Sequence, residues 1–148
     1  MAITTAMCTS FKQELLGGVH DLDSHTLKLA LIKPSMSGTY GAATTNYSDV
    51  TGNSDEASGT NYQSGGGTHG TLTGAAIAVN GTTAHVDFTD TKFENVTISA
   101  AGCIIYNTNA SNKAICVIDF GGTVSATAGD LTIEFPAVGT STAVIRIA

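Results

Sequence analysis

The sequence feature that most constrains the fold is an Asn-Gly pair, Asn80-Gly81, between two runs that alternate in side-chain character. Both residues adopt positive φ easily, and the two-residue hairpin turn that matches strand twist requires this at both positions. The pattern predicts a β-hairpin over residues 75–88, with Val79 opposite Thr82 and Ile77 opposite Ala84. One face of this hairpin is then apolar, and the other carries Ala, Thr, His and Asp.

Short strand patterns continue to the end of the sequence. The predicted strands are residues 92–98, 100–107, 113–121, 130–135 and 143–148. Clusters of Gly, Asn, Ser and Pro separate them, with turns predicted at Gly121-Gly122 and at residues 128–130. Short strands with such regular punctuation are typical of an antiparallel β-sandwich, with either jelly-roll or immunoglobulin-like connectivity. The expected fold class is therefore mainly β.

Residues 10–16 are predicted to form the one helix of the chain. Ser10 can cap its N-terminus in a capping box with Gln13, and Gly17-Gly18 supplies the stop. A helix this short needs an apolar stripe that docks on the rest of the protein. The stripe is formed by residues spaced by four, namely Met7, Phe11 and Leu15.

A clean alternating strand at residues 26–33 ends at Pro34, and a long segment without strand pattern follows. This segment, residues 35–74, is called the excursion below, and 26 of its 40 residues are Gly, Ser, Thr or Asn. Loops of that length are usually functional or mobile. We expect the excursion to lie over the sheet, with one short strand near residues 56–62. It holds three of the four tyrosines, which an interface would use well.

The strands at residues 100–107 and 113–121 are apolar on both faces. A four-residue loop at residues 108–111 would place Cys103 opposite Cys116. Both faces must then be covered, one by the second sheet and the other by helix, excursion or another subunit. We expect the three cysteines to be buried thiols, and the register also permits a Cys103–Cys116 disulfide.

Composition and charge exclude several classes of protein. The 148 residues fit a single domain, carry a net charge of −6 and include only 12% charged residues. No Lys or Arg occurs between Lys33 and Lys92, which argues against a nucleic-acid partner. No apolar run is long enough to cross a membrane, and the N-terminus lacks a signal-peptide pattern. The missing signal-peptide pattern predicts folding in the cytoplasm. Weakly charged surfaces tend to associate, which favours an oligomer.

No group of residues predicts catalysis, a cofactor or a metal. Residues 65–70 match a dinucleotide-binding glycine pattern but lack the strand before it and the helix after it. Residues 20–25 hold four potential ligands, yet the pattern is typical of a polar turn in which Asp and Ser bind backbone amides. Asp87, Asp90 and Glu94 flank a turn, where carboxylates are usually solvated. We therefore expect a protein that is not an enzyme.

Several stretches of the sequence share their pattern with one protein family. They are residues 9–20 with 26–31, residues 56–62 with the glycines that follow, residues 112–122 and residues 143–148. Over most of its length the sequence resembles a family of small virion proteins of tailed bacteriophages. Within that class, a small β-sandwich of this size most resembles a capsid decoration (cement) protein. Such proteins sit on the major capsid protein, commonly as trimers.

The resemblance implies a location and partners, and the contact surfaces follow as a hypothesis from position and composition. It implies a protein made in the cytoplasm of the host bacterium and placed on the capsid surface, with sister copies and the major capsid protein as partners. Within the N-terminal arm and helix, residues 1–20, position and composition predict contacts over residues 1–16, and further contacts are predicted in the excursion. The candidate interface residues are Met7, Phe11, Leu15, Tyr40, Tyr47 and Tyr62. The alternative is a tail or fibre component that binds host-surface carbohydrate through a groove holding one of these tyrosines beside Asp or Asn.

Overall fold

Strands dominate the computed structural model, which describes all residues 1–148. They account for 45% of residues and helices for 13%, which confirms the mainly β class. The strands are β1 Ala2–Ile3, β2 Ala6–Met7, β3 Leu27–Ile32, β4 Thr39–Tyr40, β5 Ala76–Asn80, β6 Thr83–Asp87, β7 Thr91–Asn107, β8 Lys113–Ile133 and β9 Ile145–Ile147. The α-helices are α1 Thr9–Leu16 and α2 Ser48–Gly52, and single 3-10 turns lie at Ser64–Gly66 and Thr108–Ala110. Neither α-helix has the length and apolar character that crossing a bilayer requires.

The strands form three sheets. The main sheet has the order β2-β8-β7-β3 and the small sheet has the order β5-β6-β9, and both are antiparallel. The two short strands β1 and β4 pair in parallel. One continuous core joins these parts, since Val86 of β6 and Ile145 of β9 belong to the same buried cluster as Ile104 of β7.

The predicted hairpin around Asn80-Gly81 is present as β5 and β6, but its turn is Gly81-Thr82. Asn80 lies opposite Thr83, and Val79 lies opposite Ala84 rather than Thr82. Gly81 has a φ of 62°, and glycine at the first central position is what the type II′ hairpin turn favours. The observed and predicted registers differ by two residues. The same side chains therefore share a face, because side chains alternate with period two.

Four of the predicted strands merge into two long ones, β7 and β8. The predicted turns at Gly121-Gly122 and at residues 128–130 are wrong, since both lie inside β8. Each coincides instead with a register shift in the β7–β8 ladder. At the first shift, Ala100 lies opposite Val124 but Gly102 lies opposite Asp119, and at the second, Val96 lies opposite Gly129 but Ile98 lies opposite Ala126. Gly121 has a φ of 76° and Ala128 a φ of 45°. Residues with positive φ served here to insert bulges rather than to reverse the chain.

The loop between β7 and β8 is one residue longer than predicted. Ser111 and Asn112 both have positive φ, so Asn107 lies opposite Lys113. A bulge then shifts the ladder again, and Cys103 lies opposite Ile118. The register that placed Cys103 beside Cys116 is therefore wrong. All three cysteines are buried free thiols, as expected.

Helix α1 begins earlier than predicted and has no capping box. Its N-cap is Cys8, which makes no side-chain cap bond, while the hydroxyl of Ser10 is buried without a partner. The predicted stop is confirmed. Val19 N–H donates to the carbonyl of Glu14, and Gly18, with a φ of 72°, donates to the carbonyl of Leu15. These two bonds form the Schellman motif that glycine favours at a helix end.

The excursion closes the free edge of the main sheet along β3. Leu29 N–H donates to the Gly70 carbonyl at 2.7 Å, and the Leu31 carbonyl accepts from Ala57 N–H at 2.8 Å. The short strand predicted near residues 56–62 is replaced by isolated bridges, one of which pairs Ile32 with Glu56. An unpaired edge invites association with other strands. The protein covers this one with its own chain.

Both faces of the β7–β8 pair are buried over the part next to the connecting loop, residues 102–107 and 114–117, as the apolar pattern predicted. On one face, Tyr47 of the excursion stacks on Tyr106 with ring centroids 4.5 Å apart, and the Tyr106 hydroxyl donates to the Gly65 carbonyl. On the other face, the Asn107 amide lies 3.0 Å from the ring of His20, just beyond α1. The cover therefore comes from the same chain, from the excursion on one face and from the segment that follows α1 on the other.

Candidate functional site

The six predicted interface residues lie in two places. In α1, Phe11 is completely buried and packs edge-on against His20, while Leu15, and Met7 of β2, are half-buried. In the excursion, Tyr40 is buried, while Tyr47 and Tyr62 are half-buried. Phe11 and Tyr40 are thus occupied by contacts within the chain. The interface itself stays a prediction.

Tyr40 is fixed by a buried carboxylate, Asp55. This carboxylate accepts hydrogen bonds from the Tyr40 hydroxyl at 2.5 Å, from Gly38 N–H at 2.7 Å and from Ser37 N–H at 2.9 Å, and Lys33 Nζ lies 3.3 Å away. Burial favours the neutral acid, but these donors and the lysine outweigh it and hold the pKa of Asp55 well below its ordinary value. Burial, together with the neighbouring carboxylate, raises the pKa of Tyr40 to about 12.

Tyr47 and Tyr62 bind the next carboxylate along the chain, Glu56. The Tyr47 hydroxyl donates to Oε2 at 2.6 Å, and the Tyr62 hydroxyl donates to Oε1 at 2.9 Å. Tyr62 also accepts a hydrogen bond from Leu31 N–H of β3. Burial and the Glu56 carboxylate raise the pKa of both tyrosines, which therefore remain neutral donors.

These contacts make the tyrosines anchors of the excursion. Asp55 and Glu56 are two consecutive acids in a segment whose only other charged residue is Asp49. Sequence reasoning selected the tyrosines for their interface tendency and missed the acids that hold them. The available signal was the pair of adjacent carboxylates in a stretch that otherwise avoids charge, because an isolated buried charge must be matched by donors.

A second polar network links α1 to the main sheet. Glu14 lies 2.8 Å from His20 Nε2 and 2.8 Å from Lys113 Nζ. Asn107 Nδ2 lies 3.0 Å from His20 Nδ1 and 2.9 Å from His25 Nδ1. Since Asn107 Nδ2 can only donate, both rings accept at Nδ1, and His20 donates to Glu14 through Nε2. Burial opposes ionisation of Glu14, but the bonds from Lys113 and His20 prevail and lower its pKa.

The predicted polar turn at residues 20–25 is confirmed. The Asp21 carboxylate accepts from the backbone amides of Asp23 and Ser24 and from the Ser24 hydroxyl. These bonds lower the pKa of Asp21. The turn delivers His20 and His25 to the Asn107 amide, which is a structural task.

An apolar cleft of about 500 Å³ lies between the end of α1 and the small sheet. Its apolar lining includes Leu15, Leu22, Ile77, Val86, Ile145 and Ile147. Two of the seven large apolar side chains exposed to solvent line this cleft, and three more belong to residues that adjoin lining residues along the chain or across the β5–β6 ladder. The five are Leu16, Val19, Ile77, Val79 and Ile147. We call these five residues the apolar patch.

A smaller hollow of about 460 Å³ is lined almost entirely by polar groups. Tyr62 is its one hydrophobic residue, and its neighbours there are Asn61, Gln63, Glu94 and Asn95, with Thr68 and His69 completing the wall. Amide and carboxylate groups beside an aromatic ring are the functional groups that recognise hydroxyl-rich ligands.

The environments of the three thiols make them poor nucleophiles. Burial raises the pKa of Cys8 and of Cys116 to about 12, and burial raises the pKa of Cys103 well above its ordinary value. A thiol is nucleophilic as the thiolate, which these sites disfavour.

Comparison with known proteins gives no relative for this chain. No protein-family description matches it, and neither a curated protein nor a solved structure does. Its geometry and the pattern of its sequence are therefore the basis for a functional proposal.

Proposed function

We propose that this chain is a structural protein of a tailed-bacteriophage virion, specifically a capsid decoration protein that binds the major capsid protein and stabilises the head. The observation that carries the proposal is the apolar patch around the cleft. Two members of the patch, Leu16 and Val19, lie in residues 9–20, one of the stretches on which the family resemblance rests. The proposed partners are sister copies, as a trimer, and the capsid surface.

The apolar patch has the character of a protein-binding surface. Leu16 is 93% exposed and Val19 is 39% exposed, at the end of a helix whose inner face is already buried. Clustered exposed apolar residues mark interaction sites, because each contributes stability only when a partner removes it from water. Burying a Leu-sized side chain is worth about 1.5–3 kcal/mol. The small number of charged residues leaves this apolar burial as the main source of affinity.

The rest of the fold suits a role under mechanical load. Asp55 and Glu56 tie distant parts of the excursion to one another by charge-assisted hydrogen bonds, and Tyr62, which donates to Glu56, also accepts from Leu31 N–H of β3. We further propose that the small sheet packs across the main sheet as a β-sandwich. This is supported by Val86 and Ile145, which face into the same core as Ile104.

Binding to empty expanded capsids tests the proposal directly. The purified protein should co-sediment with capsids of the phage that encodes it, and Leu16→Asp should weaken binding roughly 30- to 150-fold, the equivalent of about 2–3 kcal/mol. Val138→Asp is the matched control, because Val138 is 42% exposed but lies in the loop before β9. No binding by the wild type, or equal binding by both variants, would contradict the proposal.

The second candidate is a tail or fibre component that binds host-surface carbohydrate. The polar hollow favours it, because Tyr62 lies there beside Asn61 and Asn95. In that case the protein should be retained on host polysaccharide, Glu94→Ala should reduce retention, and Leu16→Asp should leave it unchanged. Retention with this pattern and no capsid binding would replace the decoration proposal.

A further inference from the structure

Strand β5 has one unpaired edge. In the small sheet it pairs only with β6, and all five of its residues are exposed. The ladder between β5 and β6 is regular from Ala76–Asp87 to Asn80–Thr83, without a bulge. The backbone groups on the outer side of β5 are therefore presented in the regular spacing that another strand can pair with.

The devices that usually protect such an edge are missing. No charged residue and no proline occurs from Gly70 to Val86. The other long edge, β8 beyond Asp119, is interrupted by the positive-φ residues Gly121 and Ala128. The β3 edge is covered by the excursion. Strand β5 is thus the regular, uncharged edge of the fold, and it carries two members of the apolar patch.

We propose that β5 pairs antiparallel with β5 of a second copy of this chain, about a two-fold axis at Ala78. Ile77 of each copy then lies opposite Val79 of the other, and Ala76 lies opposite Asn80. The two small sheets become one sheet of six strands. Ile77 and Val79, which are 57% and 70% exposed in the single chain, gain a cross-strand apolar partner on the same face.

The sequence of β5 favours a second copy over an unrelated strand. An isologous contact uses one surface twice, and this register matches large apolar residues with each other without any further segment. The charges nearest to β5 in the sheet are Asp87 and its symmetry mate. From strand spacing and rise they lie roughly 20 Å apart, about two Debye lengths at 0.1 M salt. Their repulsion across the axis is therefore small.

The pairing is independent of the proposed virion role. It would join two copies in solution whether or not they bind a capsid. On a shell, a two-fold contact would link neighbouring trimers, because trimers placed at three-fold positions meet one another across two-fold axes.

Cysteine cross-linking tests the register. Under mild oxidation, Ala78→Cys should give a covalent dimer on a non-reducing gel, since antiparallel neighbours lie within disulfide range. Ala76→Cys is the matched control: it is exposed on the same strand, but in this register its thiol lies opposite Asn80, roughly 14 Å along the strand from its own mate. Equal cross-linking of both variants would overturn the register.

The solution mass gives a second readout. By light scattering across a concentration series, the wild type should form a species containing β5-linked pairs, and Val79→Lys should raise the concentration for half-association at least tenfold. Unchanged circular dichroism would show that Val79→Lys is folded. A wild type that remains monomeric, or an oligomer that Val79→Lys leaves intact, would overturn the proposal. The proposal would also be overturned if the wild type is monomeric and binds capsids while Val79→Lys does not bind them. The β5 edge would then pair with another protein. Capsid binding judged by Leu16→Asp remains a separate result.

Discussion

Replacing Asp55 by Asn should destabilise the fold more than any other single neutralisation of charge. Asp55 is completely buried, and its two oxygens accept from the Tyr40 hydroxyl and from the amides of Ser37 and Gly38. Asn keeps one acceptor but turns an NH₂ group towards the remaining donors. Those donors then lose their partner inside the protein, where water cannot replace it.

The expected loss is about 3–4 kcal/mol in the free energy of unfolding. A hydrogen bond to a charged group contributes about 1.5–3 kcal/mol. Removing one partner of a buried charge pair costs about 3–5 kcal/mol. Lys33, which pairs with Asp55, is partly exposed and can turn to water, so the loss should lie in the lower part of that range.

Urea unfolding followed by circular dichroism and tyrosine fluorescence measures the loss, as the chain has no tryptophan. Asp23→Asn is the control, because Asp23 is exposed; we expect it to change stability by less than 0.5 kcal/mol or so, roughly the usual surface effect. A loss below about 1 kcal/mol for Asp55→Asn would refute the conclusion that Asp55 fixes Tyr40 and so anchors this part of the excursion.

The same pair of proteins should differ in pH dependence. The folded state holds the pKa of Asp55 below its unfolded value, so the unfolded chain takes up the proton first as the pH falls below about 4. The contribution of Asp55 is complete above that pH and is lost as the pH falls towards the folded pKa. The gap between wild type and variant should therefore be largest at neutral pH and should narrow in acid.

Three further results are expected. Gly66→Ala should lower the free energy of unfolding by about 3 kcal/mol in urea titration, because Gly66 has a φ of 85° and an added Cβ would collide with the Leu29 carbonyl. The control is Gly52→Ala, which has open space around it and should be neutral or stabilising by up to about 1 kcal/mol. Tyr62→Phe should cost about 1–3 kcal/mol in the same assay, since it leaves the Leu31 N–H without its acceptor; a neutral result would contradict the anchoring role. The three thiols should react with a thiol reagent only after denaturant unfolds the protein, and rapid labelling of the native state would contradict their burial.

Local sequence signals predicted the elements of the fold better than their register. Gly81 marked a hairpin correctly, yet the turn moved by one residue because the chain used a type II′ turn. Gly121 carries an equally strong turn signal but lies within β8, where it inserts a bulge. A glycine shows only that the chain can adopt a positive φ at that position without steric strain. Whether the chain then reverses or continues depends on pairing with a distant strand, which the local sequence does not encode.

The interaction surfaces were harder to predict for a related reason. Tyr40 and Tyr47 were selected by residue type, but Asp55 and Glu56 draw their hydroxyls inward. The exposure of Leu16 depends on where α1 ends relative to the small sheet, which is a property of the assembled fold. Residue type gave the candidates, and tertiary packing decided which of them face solvent.

Strand β2 has a consequence for how the protein is made. Ala6 and Met7 pair with Val117 and Cys116 of β8, and Cys8 N–H donates to the Ile115 carbonyl. On a ribosome that adds about 5–20 residues per second, this partner emerges roughly 5–20 seconds after the N-terminus. Throughout that interval the apolar side of α1, with Phe11 at its centre, has no sheet to cover it. The N-terminal helix therefore reaches its folded environment only late in synthesis, although it is among the first segments to be made.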